Sequence, residues 1–274
     1  MARILFTAAD INELNCATEA VNSYKAKVDS SEISIKNIFS VFNFEFLLTG
    51  IGTTSTCYKL TKAILEAKAE NNPYTHIINI GIAGSFNLDK FSIGSLAIIN
   101  KEYFGDLGFE SKENGFQSLF EYGMYDKDMP PFTSGALERS KLDSSLEEFL
   151  SIYFNTNSSN YNIGGGIGIT VQKIITDNTK IEAIREKFSA DIESMEGAAI
   201  YYVCLQEGIP TFEIRAISNK VGVRDKSEWN ISLALRNLSL FCTDLVEHIT
   251  STYNVTTNLW GVLFSALYIF ELRF

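Results

Sequence analysis

Three apolar runs in this chain each break into small residues, and that pattern admits few folds. Phe42–Leu48 leads into Thr49-Gly50-Ile51-Gly52, His76–Ile80 into Gly81-Ile82-Ala83-Gly84-Ser85, and Thr211–Ile217 into Ser218-Asn219. Short β-branched and aromatic runs that end in such turns read as strands. Arg3–Thr7, Leu96–Asn100 and Ile167–Val171 read the same way, and a short β-like run ends at Ile192. Helical spacing marks Asn12–Lys25, Ser55–Glu70, Leu142–Tyr153, Lys180–Phe188, Met195–Glu207 and Leu233–Thr250. Strands alternating with helices predict an α/β fold, a central twisted sheet, mixed or parallel, covered by helices on both faces in three αβα layers. Residues 105–135, rich in Gly, Asp, Asn and Phe, are expected to form an irregular surface excursion. No Pro/Ser-rich linker divides the chain, so residues 1–252 are expected to form a single domain, with 253–274 as an apolar extension.

Composition narrows the function classes. At 274 residues and 46% hydrophobic the chain can bury a substantial core. A net charge of -10 without a basic stripe argues against nucleic acid and leaves a small molecule as the expected ligand. Cys16, Cys57, Cys204 and Cys242 are too scattered for a zinc site or a disulfide framework, and are expected to be reduced and mostly buried. His76 and His248 are the two histidines, so histidine-based nucleophilic or metal chemistry has little to work with. Residues 1–9 lack a basic segment followed by a signal core, so a cytoplasmic location is expected. Leu259–Phe270 is a nearly continuous apolar stretch of twelve residues, short of the roughly twenty that span a bilayer. No membrane anchor is expected.

The glycine-rich turns do not complete G-x-G-x-x-G with a following acidic residue, so no dinucleotide is expected, nor any other cofactor or metal. They are either plain tight turns or places where backbone N–H groups approach a ligand closely. A second constellation is Glu193-Ser194-Met195-Glu196-Gly197-Ala198-Ala199 with Arg215-Ala216-Ile217-Ser218-Asn219, whose Glu196 and Asn219 lie 23 positions apart. Glu196 falls at a helix start and Asn219 just past the end of a strand, the edge at which open α/β sheets bind ligands. Ordinary helix capping and an ordinary turn asparagine would give the same residues.

The order of Ala8-Ala9 with Glu13, Thr49-Gly50-Ile51-Gly52, Asn79 to Gly84, Ile93-Gly94-Ser95-Leu96, Met195-Glu196-Gly197-Ala198 and Arg215 to Asn219 resembles the nucleoside phosphorylase/nucleosidase superfamily, over about residues 3–250. Within it, the segment from Ser218 to Trp229 looks most like the members that hydrolyse futalosine, a hypoxanthine nucleoside with a carboxyphenyl tail on an alternative menaquinone route.

The resemblance implies a phosphorylase/hydrolase-like fold, a nucleoside substrate and a homo-oligomer. It implies catalytic roles for Glu13, orienting and deprotonating the attacking water, and for Asn219 at the base. Glu196 would hold ribose hydroxyls, Met195 would pack under the sugar, and Ala83 and Gly84 would line the site. Ile174 and Ile175 would flank the purine, while Arg224 and Trp229, with Lys220, would meet the carboxyphenyl tail. Asn219 stands where adenine-specific members carry Asp; an amide donates to O6, so a 6-oxopurine is expected over adenine. The loops Thr7–Leu14 and Asn79–Phe86 lack the Arg with which phosphorylases of the superfamily clamp phosphate, so water is the expected nucleophile. A phosphorylase, an adenine-type nucleosidase and a nucleoside-binding protein without turnover remain the alternatives.

Overall fold

The computed structural model describes residues 2–29, 42–155 and 161–271, with side chains over 2–27, 43–152 and 161–251. The order of elements is β1 (Ala2–Ala8), α1 (Ile11–Asp29), β2 (Phe42–Leu48), α2 (Thr53–Ala69), β3 (His76–Ser85), β4 (Leu96–Phe104), β5 (Gly108–Ser111), β6 (Gly115–Ser118), β7 (Leu137–Glu138), α3 (Ser144–Asn155), β8 (Ile163–Thr170), α4 (Asn178–Phe188), β9 (Ile192–Ser194), α5 (Gly197–Glu207), β10 (Thr211–Lys220) and α6 (Ile231–Glu271). The fold is the expected α/β arrangement of a mixed sheet between helices. Residues 105–135 are more ordered than the composition implied, because Gly115 takes φ 65° and lets β5 and β6 pair as an antiparallel hairpin. Beyond Tyr253 the backbone of the apolar extension continues α6 to Glu271, and its side chains lie outside the described residues. No helix among the described residues is long and apolar enough to cross a membrane.

The sheet runs β10-β4-β8-β9-β3-β1-β2, and β10 also pairs with β3. Those pairings close β10, β4, β8, β9 and β3 into a ring, with β1 and β2 extending from it. β10 runs parallel to β3 and antiparallel to β4, and thus fills the gap between two strands that are consecutive in sequence.

Apolar packing seals both faces. On one side Leu14, Ala17 and Val21 of α1 and Leu238, Phe241 and Leu245 of α6 bury against Ile4, Phe6, Ile80 and Ile214 of the strands. On the other, Leu60 and Ile64 of α2 meet Ile200, Tyr201 and Cys204 of α5 over Leu5, Ile77 and Ile99. Small residues let α5 sink into this layer: Gly197, Ala198 and Ala199 are all buried. Gly208 ends that helix in the left-handed conformation, φ 67°, where other residues would be strained. Cys16, Cys204 and Cys242 are buried free thiols, while Cys57 is half-buried. His76 faces Asp143 at 3.2 Å and His248 meets Ser145, so both histidines join α3 to the rest of the fold.

Two strands extend beyond the sequence expectation. Gly81–Ser85 stays in β3 and Ser218–Asn219 in β10, where a bulge between Ile217 and Asn219 keeps Asn219 paired with Gly84. The glycines at 81 and 84 are thus strand residues chosen for space, and Asn219 is not a turn residue.

Candidate active site

At the centre lies Arg215, 1% exposed in the middle of β10. A guanidinium so deeply buried requires compensating charge, and three carboxylates provide it. Its Nε donates to Glu213 on the same strand face, and its Nη1 lies 3.5 Å from Glu196 Oε2. Nη1 also donates to Ile82 O at 3.4 Å. With the Asn79 amide oxygen accepting from Nη2 at 3.0 Å, the amide nitrogen donates to Thr7 Oγ1 at 3.0 Å, which satisfies both ends of that side chain. Burial lowers the Arg215 pKa, but Glu213, Glu196 and Glu13 outweigh it, so the group is raised and stays charged.

Glu13 sits in the first turn of α1 yet is 6% exposed, which rules out a solvated helix residue. Its Oε1 accepts from Ile82 N at 2.8 Å and its Oε2 from Asp10 N at 3.0 Å. Gly81 makes room for the group: a Cβ there would run into Arg215 Nη1 and stand 3.1 Å from Glu13 Oε1. Burial raises the Glu13 pKa against the opposing pull of Arg215 and the Ile82 N–H, so the carboxylate is a stronger base than an exposed one.

Glu196 is the residue before α5, but its carboxylate makes no cap bond to that helix. It instead accepts at Oε1 from Gly52 N, 3.0 Å away, at the start of α2. Gly52 takes φ 88°, which explains the glycine and shows that its turn presents an N–H inward. Met195 beside it is half-buried.

Asn219 is 7% exposed and held at both ends: Oδ1 accepts from Ser218 Oγ at 2.7 Å and Nδ2 donates to Lys220 O at 2.9 Å. Ala83 O lies 3.3 Å from the same Ser218 Oγ. A Cβ on Gly84 would stand 3.3 Å from Asn219 Nδ2, so Ala83, Gly84 and Asn219 share one wall. Ile174 and Ile175 are half-buried just past β8, with Ile175 packed against a cluster that includes Val221. Lys220 and Arg224 are exposed, and Arg224 makes no ion pair among the described residues. Trp229 is half-buried and donates Nε1 to Val223 O at 2.9 Å, which folds the 220–230 loop on itself.

The structure therefore brings Glu13 and Glu196 together around Arg215, with Asn219, Ala83 and Gly84 on the neighbouring strand ends. Arg224 and Trp229 remain on a separate loop. Arg215 and Glu213 belong to this cluster although motif reading gave them no role. Their signal is two charges at i and i+2 within an otherwise apolar strand, since buried charges occur in pairs. Beyond Gly52, an apolar cavity of about 380 Å³ opens between Thr53, Cys57, Phe104, Phe120, Phe132 and Tyr202.

Known proteins share this organisation. The futalosine hydrolase of Thermus thermophilus is 28% identical over 72% of this chain and 78% of its own length. The futalosine hydrolase of Streptomyces coelicolor is 25% identical over 72% and 75%. In three dimensions, the 5'-methylthioadenosine/S-adenosylhomocysteine nucleosidase of Helicobacter pylori superposes with a TM-score of 0.65 at 15% identity, covering 92% of this chain and 99% of that one. A family model matches residues 47–250, which include Glu196, Arg215 and Asn219, and the chain belongs to the phosphorylase superfamily.

Proposed function

We propose that this protein hydrolyses the N-glycosidic bond of futalosine, releasing hypoxanthine and dehypoxanthine futalosine on the way to menaquinone, with water as nucleophile. The observation that carries the reading is the cluster of Glu13 and Glu196 about Arg215. Arg215 donates to Glu213, Glu196, Ile82 O and Asn79, and these acidic neighbours oppose the approach of a phosphate dianion. Water suits such a site. Glu13, oriented by two backbone N–H groups, takes the proton of the attacking water, and its negative charge stabilises the oxocarbenium-like transition state.

Glu196 accepts the ribose hydroxyls while Gly52 N–H fixes its other oxygen. Met195 packs under the sugar, and Ile174 and Ile175 flank the purine. One N–H of Asn219 is taken by Lys220 O, and the other donates to O6 of the base. The Oδ1 atom accepts from N7 once the leaving purine has taken a proton there from solvent water, since an amide has none to give. Arg224 and Lys220 pair with the tail carboxylate, and Trp229 offers its ring face to the phenyl group. A homo-oligomer completes the arrangement: Tyr58 and Leu65 on α2, exposed by 69% and 54%, and Ile51 just ahead of it, exposed by 68%, leave large apolar side chains in solvent near Gly52.

The test is free base release from futalosine, inosine and methylthioadenosine, each with and without phosphate. Hypoxanthine from futalosine alone, independent of phosphate, is the expected result. Phosphate-dependent cleavage would make the protein a phosphorylase, and binding without cleavage would make it a nucleoside-binding protein.

A further inference from the structure

Glu213 accepts from Arg215 through Oε1, but its Oε2 is fully buried and has no hydrogen-bond partner among the described residues. A second carboxyl group points into the same space. Glu102, on β4 and 1% exposed, has its Oε2 bound by Thr170 Oγ1 at 2.9 Å. A Cβ on Gly197 would stand 2.6 Å from Glu213 Oε2 and collide with Glu102 Oε1. A Cβ on Gly168 would strike the same Glu102 oxygen. Two glycines, one on β8 and one on α5, thus vacate the volume in which these carboxyl oxygens converge.

Two ionised carboxylates cannot share that volume cheaply, because no water-like dielectric screens them and Arg215 lies on the far oxygen of Glu213. Other donors are committed elsewhere. Tyr201, whose pKa burial and both carboxylates raise, donates its hydroxyl to Ile99 O. Thr170 donates to Glu102 and accepts from Ala198 N at 2.7 Å. A single proton removes both the repulsion and the orphaned acceptor. Glu213 is the poorer place for it, since the guanidinium favours its charged form, whereas Glu102 meets only a neutral hydroxyl.

We propose that Glu102 is held as a neutral acid whose Oε1–H donates to Glu213 Oε2, making an acid–carboxylate pair that positions Arg215 and, through it, Glu13 and Glu196. Burial, and then the charge of Glu213, push the Glu102 pKa well above the usual carboxylate range, in agreement with this geometry. The pair gives Arg215 a fixed carboxylate without a further negative charge beneath the site. Glu102 is on this account a positioning residue, and its catalytic consequence rests on the hydrolase reading above.

The substitution Glu102→Gln separates this pair from a conventional buried anion. A glutamine amide can donate to Glu213 Oε2 while its carbonyl accepts from Thr170, so Glu102→Gln should keep kcat and Tm close to the parent values. Glu102→Ala leaves Glu213 Oε2 orphaned and should lower kcat by roughly 10- to 100-fold. Infrared spectra at pH 8 give a readout that needs no substrate: the parent should show a protonated-carboxyl band that Glu102→Gln removes. Loss of activity in Glu102→Gln as large as in Glu102→Ala, or no such band at pH 8, would overturn the pair. A band that Glu102→Gln abolishes, in a protein that cleaves no nucleoside, would keep the pair and remove the hydrolase reading.

Discussion

The backbone N–H of Ile82 donates to Glu13 Oε1 at 2.8 Å, and this bond joins the first helix of the chain to the end of its third strand. Because Gly81 precedes Ile82 and leaves room for Arg215, one short stretch of β3 sets both the carboxylate and the guanidinium.

Glu13→Gln keeps the shape of the side chain and removes the base. It should lower kcat by about 100- to 10,000-fold with little change in KM. Steady-state kinetics on futalosine decide the matter, and an unchanged kcat would remove Glu13 from the mechanism. As the proposed base, Glu13 must be ionised in the parent enzyme, so activity should fall as pH drops, with the acid limb above the ordinary glutamate value because burial raises this group.

Asn219→Asp exchanges the amide donor for a carboxyl that, when protonated, can donate to N7 while accepting from a 6-amino group. Its ratio of kcat/KM for aminofutalosine over futalosine should rise by about 10-fold or more. Equal discrimination in parent and variant would remove Asn219 from base recognition.

Gly81→Ala drives a methyl group into the Arg215 guanidinium. Overpacking of this kind should destabilise the fold by about 1–3 kcal/mol and lower activity through Glu13 and Arg215 together. Denaturant unfolding reads the first effect and kinetics the second. A variant with parental stability would show that the guanidinium can shift at no penalty.

Glu193 on β9 has its pKa raised to about 7 from an ordinary 4.5, by burial and then by Asp106. The folded state therefore holds this proton more tightly than the unfolded state. The sign is fixed: the favourable contribution is complete below about pH 4.5 and is lost as pH rises through about 7. Glu193→Gln should flatten that decline and exceed the parent at pH 8 by up to about 3 kcal/mol. Unfolding free energies at pH 5 and pH 8 test it, and parallel pH profiles in the two proteins would contradict it.

Much of the fold was legible because strand and helix periods alternate cleanly, and Glu13, Glu196 and Asn219 could be singled out by motif order. The extension of β3 through Gly81–Ser85 was not, since glycine in a strand normally signals a turn. What keeps it extended is pairing with β10, a partner some 130 residues away in sequence. Neither could the sequence show Gly52 N–H meeting Glu196, a contact between residues 144 positions apart. Glu102 escaped notice for a different reason: it follows Lys101 beyond the expected strand Leu96–Asn100 and looks like a surface position, until β4 is seen to run on to Phe104 and two distant glycines to surround it.

The place of β10 between β3 and β4 also governs how the molecule comes into being. During synthesis, β3 and β4 emerge with the edges that β10 will occupy still open, and they must wait for more than a hundred further residues before their missing neighbour exists. That neighbour brings Glu213, Arg215 and Asn219 with it. Closure of the ring and assembly of the cluster about Arg215 are thus a single event, and a nascent chain that stops short of β10 carries two sticky edges and lacks Glu213, Arg215 and Asn219.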